Sequence, residues 1–138
     1  MTLKEIVDGL LNIAKKQPNI NYVYEGDVYE LASVPNITYS IFAITQSNHT
    51  QNENTITYNL NLFYFDRLFK DKSNLLDVQS KAIVQLGNII NRFLNEYDVE
   101  VGYTINYTTF QHKIGEVCGG AYCTLSIVCN NNIGLCDY

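Results

Sequence analysis

The amino-acid sequence predicts an α+β fold: an antiparallel four-stranded sheet plus an N-terminal hairpin, with two helices packed on one face. Apolar residues alternate with polar ones from Ile56 to Tyr64, as in a strand buried on one side. They then recur at steps of three and four from Leu75 to Phe93, as in an amphipathic helix. Short stretches between strands favour antiparallel neighbours, with the helices segregated to one face of the sheet.

Length and composition predict one domain over residues 1–138. The chain has a common domain size, and its 46% of hydrophobic residues can form a core without disulfides or metal. We find no internal repeat and no second composition along the chain.

The first predicted element is an amphipathic helix from Thr2 to Lys16. Thr2 and Glu5 have the spacing of a capping box, and Pro18 follows the last apolar residue of the stripe. The stripe consists of Leu3, Ile6, Val7, Leu10, Leu11 and Ala14.

Two strand regions are predicted next. Residues Asn21 to Leu31 form two short β-rich arms around Gly26-Asp27, which is typical of a hairpin with a type II′ turn. The run from Ile37 to Thr45 is rich in β-branched and aromatic residues and is predicted as a central strand, buried on both faces. The polar stretch from Gln46 to Asn54 is predicted as a flexible loop.

The long helix is predicted to begin after Ser73-Asn74, either of which can cap it. Gly87 lies inside this helix, where glycine is unfavourable, so we expect a neighbouring backbone to approach it. The core stripe of the helix is predicted as Leu75, Val78, Ala82, Leu86, Ile89 and Phe93. Four apolar residues widen it: Leu76, Ile83, Ile90 and Leu94. The polar face carries Gln79, Lys81, Gln85, Asn88 and Arg92.

The last quarter is predicted to hold two strands. Val99 to Thr108 alternates as a one-sided strand, Phe110 to Gly120 is a glycine-bearing connection, and Ala121 to Cys129 is the final strand.

Charge and hydropathy disfavour two classes of partner. The net charge is −5 with scattered Lys and Arg, so the chain offers no basic face for tight nucleic-acid binding. No apolar run approaches the ~18 residues of a membrane span. The first residues form a helix opening rather than a signal peptide, so we expect synthesis in the cytoplasm and no membrane partner.

We predict no metal, cofactor or catalytic site. The four cysteines, Cys118, Cys123, Cys129 and Cys136, lack zinc-ligand spacing and are interpreted as buried thiols. No glycine-rich loop precedes a helix, so no phosphate site is indicated.

The charged corner between the strand Ile56–Tyr64 and the long helix is the candidate site. Asp66, Arg67, Lys70 and Asp71 alternate in sign, which can fix the register between identical neighbours. The same residues also fit a solvated corner. A carboxylate metal cluster with Asp77 is disfavoured because basic residues interleave and the calcium-loop spacing is missing.

A resemblance to a known family rests on residues around this corner and near the C-terminus. They are Phe63-Tyr64-Phe65-Asp66-Arg67-Leu68, Asp71, Ser73-Asn74, Gln79-Ser80, Leu86-Gly87-Asn88-Ile89-Ile90, Phe110, Lys113-Ile114, Glu116, Cys118 and Gly120-Ala121-Tyr122. In this pattern the sequence resembles tail-completion or neck-ring proteins of tailed bacteriophages that infect Bacteroides-type gut bacteria, including crAss-like phages. The element order is also similar to that of the tail terminators of lambda-like phages.

This resemblance implies a virion structural subunit of the phage neck or tail, without catalysis. It implies a homo-oligomeric ring of six or twelve copies that joins head to tail or completes the tail, contacting portal, adaptor or tail proteins. DNA would pass through the lumen without specific binding. The polar second face of the sheet, with Thr55, Thr57, Asn59, Asn61 and Phe63, fits a channel lining or a subunit contact.

Two other classes stay open. A small-ligand-binding or regulatory domain would use Tyr22, Tyr24, Tyr29, Tyr103 and Tyr107 as a pocket wall. A cysteine-dependent enzyme would pair Cys118 with His112 in space.

Overall fold

The computed structural model describes residues 1–27, 30, 38–97, 99–101, 105–114 and 116–130. It confirms the α+β class, with two helices and one mixed sheet. The strand order is β1-β2-β3-β6-β4, and β5 also pairs with β6. The elements are α1 (Leu3–Lys15), β1 (Tyr22–Glu25), β2 (Ile41–Gln51), β3 (Thr55–Arg67), α2 (Leu75–Glu96), β4 (Glu100–Val101), β5 (Tyr107–Ile114) and β6 (Glu116–Asn130).

The pair β3–β6 forms the middle of the sheet. All of β3 pairs antiparallel with β6, from Thr55 opposite Asn130 to Arg67 opposite Cys118. Side chains alternate between two faces, and both helices pack on the same one, here called the helix face. The other face is called the open face. The sheet contributes to the main core Phe42, Ile44, Tyr58, Leu60, Leu62, Tyr64, Ala121, Cys123, Leu125, Ile127 and Cys129.

The first helix is confirmed together with its cap. The Thr2 hydroxyl accepts a hydrogen bond from the Glu5 amide, and the Glu5 carboxylate accepts one from the Thr2 amide, both at 3.2 Å. These bonds hold the pKa of the Glu5 carboxyl below its usual value. At the far end of α2, Tyr97 stacks on Phe93 and lies close to Gly9, so it packs between the two helices.

The long helix is confirmed from Leu75 to Glu96, although its flanks differ from the prediction. Leu76, expected to widen the core stripe, is 77% exposed, whereas Gln85, expected on the polar face, is only 8% exposed. The other flank assignments hold, since Ile90 is buried and Ile83 and Leu94 pack against the core, whereas Lys81, Asn88 and Arg92 are exposed. The central stripe is buried as predicted: Val78, Ala82, Leu86, Ile89 and Phe93.

The predicted N-terminal hairpin is wrong in its pairing. The first arm, β1, pairs in parallel with β2, from Tyr22 opposite Ile41 to Glu25 opposite Ile44. Alternating residues identify a strand but not its partner, and here β2 supplies the apolar surface that β1 covers. The predicted second arm lies at residues 28, 29 and 31, which are outside the described residues. The sheet is therefore mixed rather than wholly antiparallel.

The predicted loop from Gln46 to Asn54 is also wrong, because most of it is strand. The residues Ile41 to Ile44 are fully buried, as expected for the central strand, but β2 continues to Gln51 through seven polar residues. A short turn follows, in which the Asn52 amide donates to the Thr55 carbonyl at 2.7 Å. Periodicity fails here because neither face of this segment is buried.

The C-terminal strands are shifted relative to the prediction. The predicted strand Val99–Thr108 is described only as β4 and the start of β5, and residues 102–104 lie outside the described residues. The predicted connection Phe110–Gly120 is mostly strand, since β5 ends at Ile114 and β6 begins at Glu116. The glycines that suggested a turn lie within β6.

Close packing explains both of these glycines. A Cβ on Gly120 would lie 1.9 Å from the Tyr64 carbonyl oxygen, and one on Gly119 would lie 2.8 Å from Leu75 Cδ1. Glycine inside a strand often marks such an approach. At Gly87, by contrast, the nearest atom to an added Cβ is the Tyr107 hydroxyl at 3.4 Å, so the expected backbone approach is wrong.

Substitution of Leu86 by Asp should unfold the protein, whereas Val84→Asp on the same helix should leave it folded. Leu86 is fully buried and Val84 is 57% exposed. A buried unpaired carboxylate costs roughly 3 to 5 kcal/mol, which is a large part of a total stability of about 5 to 15 kcal/mol. Circular dichroism and thermal unfolding of both variants measure the difference. Equal stability of the two would contradict the assigned helix face.

Alanine at two glycines should act in opposite directions. Gly87→Ala should stabilise the protein by up to about 1 kcal/mol, because alanine is the better helix former and the site has room. Gly120→Ala should destabilise it by at least about 2 kcal/mol, because the new methyl group meets backbone. Urea unfolding of the two variants provides the comparison. A destabilised Gly87→Ala or a neutral Gly120→Ala would count against this packing.

Candidate interaction surface

The corner from Asp66 to Asn74 joins the end of β3 to the start of α2. Asn74 occupies the N-cap position but makes no side-chain cap bond. Its Oδ1 instead accepts from the Phe69 amide at 2.9 Å, and its Nδ2 donates to the Arg67 carbonyl at 3.2 Å. The expected capping role of this side chain is therefore wrong. Asn74 connects the helix start to the strand end and holds the corner in one shape.

Local hydrogen bonds shape the tip of the corner. The Asp71 carboxylate accepts from the Ser73 amide at 3.0 Å, and the hydrogen bonds from Ser73 hold the Asp71 pKa below its usual value. Lys72 has a φ of 60°, in the left-handed region, and its amide donates to the Phe69 carbonyl at 2.9 Å. A lysine in this conformation marks a tightly turned backbone.

The four predicted site residues are divided by the structure. Asp66 and Arg67 line a common cleft, whereas Lys70 and Asp71 are exposed outside its lining. The Asp66 carboxylate accepts from the Arg67 amide at 2.7 Å. The Arg67 guanidinium lies over the Tyr39 ring, 5.2 Å from its centroid, which is within cation–π range.

The cleft at this corner has a volume of about 650 Å³. Two aromatic residues that sequence reasoning missed, Tyr39 and Phe69, contribute to it. Phe69 is 63% exposed, which is unusual for a phenylalanine and could have been suspected from its place among charged residues. Tyr39 gave no sequence signal, because only the fold brings it to Arg67. Thr38 and Asn74 also line the cleft.

Aromatic rings cover the end of the open face next to the corner. Phe63 stacks on Tyr122 with centroids 5.2 Å apart, and Phe65 meets Phe110 edge to face at 6.2 Å. Gly120 lies between Phe65 and Phe110 in the register, so these two rings approach each other over a residue without a side chain. Beneath the rings is a second buried cluster of Ile41, Ala43, Phe65 and Cys118.

The other end of the open face is polar and uncharged. Thr124 donates to Asn61 at 2.8 Å, and Ser126 donates to Asn59 at 2.5 Å across the β3–β6 pair. These bonds form a cross-strand ladder of polar side chains. The predicted polar face is therefore partly ordered by its own hydrogen bonds, with Phe63 belonging to the aromatic end.

Of the five tyrosines proposed as a pocket wall, the three that the structure describes do not all lie together. Tyr22 and Tyr24 pack against the buried cluster of the open face, whereas Tyr107 packs against the main core on the helix face. The remaining two, Tyr29 and Tyr103, lie outside the described residues. Tyr24 donates to the Glu30 carboxylate at 3.1 Å.

The predicted meeting of His112 with Cys118 is realised in the backbone register, where the two are cross-strand partners. Cys118 is fully buried. Cys123 and Cys129 are also buried, as predicted, and burial raises the Cys123 pKa to about 12. Because the thiolate is the nucleophile, these positions do not favour cysteine chemistry. Cys136 lies outside the described residues.

Within the described ranges, no group of three or more His, Cys, Asp or Glu could hold a metal ion. The helices described here include none with the length and apolarity to cross a membrane. No family model matches the chain, and no curated protein matches it either.

Alkylation should leave Cys118, Cys123 and Cys129 unmodified in the folded protein at pH 8. Burial blocks access to all three, and the raised pKa keeps the Cys123 thiol protonated until far above that pH. Iodoacetamide treatment followed by peptide mass spectrometry reports each position, and urea-unfolded protein is the control in which all should react. Rapid labelling of Cys118 in folded protein would revive the cysteine-enzyme hypothesis.

Proposed function

We propose that this protein is a virion structural subunit that assembles into a ring at the neck or tail of a tailed phage. The observation that carries the proposal is the hydrogen-bonded corner, where Arg67, the partly buried Tyr39 and the exposed Phe69 line a cleft. The sequence resemblance to tail-completion and neck-ring proteins centres on the same corner. The proposed partners are further copies of the chain and the neighbouring portal, adaptor or tail proteins.

The chemistry of the corner suits protein contact. Arginine and aromatic residues are enriched in protein interfaces, where their large side chains supply most of the binding energy. Arg67 and Tyr39 are already stacked, so less conformational entropy is lost when a partner covers them. Phe69 is 63% exposed and would gain from burial. Asp66 adds a charge of opposite sign beside Arg67, which favours one orientation of the partner.

The charge of the molecule is compatible with DNA passage. The chain has a net charge of −5, and the ladder of Asn59, Asn61, Thr124 and Ser126 on the open face carries no charge. A surface without Lys and Arg has little to attract phosphates and would let DNA slide.

A small-ligand-binding domain is the second candidate, because the corner cleft falls within the usual 300 to 1,000 Å³ of ligand sites (about 650 Å³ here). Arg67 and Asp66 could orient a polar ligand against the ring of Tyr39. Thermal-shift screening of small anions and metabolites tests this candidate. Stabilisation that is lost in Tyr39→Ala would favour it over the ring.

Native mass spectrometry of the unmodified protein tests the ring directly. The proposed subunit should form a closed oligomer, alone or on a portal or tail partner. A protein that stays monomeric at high concentration and on such partners would exclude the proposal.

Arg67→Glu should weaken assembly without unfolding the subunit, because it reverses the charge at the centre of the corner cleft. Lys81→Glu is the matched control, since it makes the same change of charge at an exposed position of α2. We expect at least a tenfold weaker association for Arg67→Glu, about 1.4 kcal/mol or more, and little effect for the control. Sedimentation velocity measures both variants, and thermal unfolding confirms that each is folded. Equal loss in both variants would assign the effect to net charge and remove Arg67 from the contact.

A further inference from the structure

The sheet has an unusual edge along β2. The short strand β1 pairs only with Ile41–Ile44, so no described strand pairs with Thr45–Gln51 on the side away from β3. This seven-residue segment, here called the β2 edge, is exposed from Gln46 onward. Its outward backbone groups can therefore bond another strand.

The β2 edge lacks most of the features that protect sheet edges. Natural edges are usually blocked by charged residues or proline, by shortness, or by a bulge. The sequence Thr45-Gln46-Ser47-Asn48-His49-Thr50-Gln51 contains no proline and no residue with a formal charge. A register shift between Gln46 and His49 is its only irregularity.

The opposite edge of the sheet offers a matching strand. The eight residues of β5 pair with β6 on one side, and no described strand pairs with β5 on the other. From Tyr107 to His112 this strand also carries no formal charge and no proline. The two edges are thus similar in length and in chemistry.

We propose that the β2 edge of one copy pairs with β5 of the next copy, so that the sheet continues from subunit to subunit. This inference rests on the ring function proposed above and identifies its lateral contact. The two edges are different surfaces of one molecule, so their pairing is heterologous; it forms a ring where the rotation between neighbours closes and an open filament where it does not.

The strand directions fit this pairing. Each of the pairs β2–β3, β3–β6 and β6–β5 is antiparallel, so β5 runs opposite to β2 within one subunit. Suppose that a rotation relates neighbouring copies and keeps their open faces on the same side. Then β5 of one copy runs antiparallel to the β2 edge of the other. The pairing strand would lie in line with β1, beyond its end at Glu25.

The alternation of side chains allows only registers that place open-face residues opposite open-face residues. Thr50 pairs with Thr57, which lies on the open face, and Thr108 pairs with Tyr122 on the same face. Thr109 pairs with Ala121 and points to the helix face. With Thr50 opposite Thr108, Gln51 faces Tyr107 and His49 faces Thr109, and each pair shares one face.

Disulfide crosslinking tests this pairing in the full-length chain. Cysteines at Thr50→Cys and Thr108→Cys should link neighbouring copies into covalent dimers and larger ladders, in a Cys136→Ser background. The pair Thr50→Cys and Thr109→Cys is the matched control, because its side chains point to opposite faces. Within one chain the two strands are three strand spacings apart, about 14 Å, which is beyond the roughly 7 Å that a disulfide can bridge.

Non-reducing gels after mild oxidation should show about tenfold more crosslinked product for the Thr108 pair than for the Thr109 pair. Assembly in native mass spectrometry without this difference would reject the edge pairing and leave the ring intact. A monomeric parent protein would reject both the ring and the pairing.

Thr50→Lys provides an independent measurement. This variant should reduce the amount of oligomer at least tenfold while its melting temperature is retained, and unchanged assembly would count against the pairing.

Discussion

The structure depends on the antiparallel pairing of β3 with β6. Every residue of β3 has a partner in β6, and the two strands form the floor of the main core beneath α2. The pairing fixes both faces at once, because a shift by one residue would exchange them. If β3 shifted in this way, Leu60 and Leu62 would face outward and Asn59 and Asn61 would face the helices. This register also determines the positions of the corner at the end of β3 and of the strands that flank the β3–β6 pair.

Gly120 sets how closely these two strands approach. Its missing side chain leaves space beside the Tyr64 carbonyl and lets Phe65 and Phe110 meet over the gap. A β-branched residue there would separate β3 from β6 at the aromatic end of the open face. The buried cluster beneath the rings, and with it the wall of the corner, follows from that close contact.

Much of the fold was predictable where one face of an element is buried. The stripes of α1 and α2 and the alternation in β3 gave correct elements, because burial on one side leaves a clear period. The prediction failed where that condition is absent. The β2 edge has no buried face and therefore had the composition of a loop. The glycines of β6 suggested a turn, although glycine is needed there because the neighbouring strand and helix pack too closely for a side chain. The partner of β1 could not be read from its own residues.

The candidate site was predictable only in part, for a related reason. The charges of Asp66, Arg67, Lys70 and Asp71 mark an exposed corner, but charge alone does not say which of them lie together. Tyr39 belongs to the predicted strand Ile37–Thr45, but the sequence did not give the register with β3 that brings Tyr39 to Arg67. The bonds of Asn74 then decide the outcome, since they turn the backbone so that Arg67 and Phe69 line the cleft while Lys70 and Asp71 stay outside it.

In the proposed ring, the corner and the β2 edge would be the two surfaces through which copies of a small acidic protein contact each other. Like charges on copies with a net charge of −5 oppose association, so the contact needs directional bonds rather than general attraction. Backbone pairing along an uncharged edge supplies such bonds and fixes the orientation of each copy. A corner held rigid by Asn74 can then add a specific contact without a further loss of entropy. Neither surface needs the core to change, so the subunit can fold first and assemble afterwards.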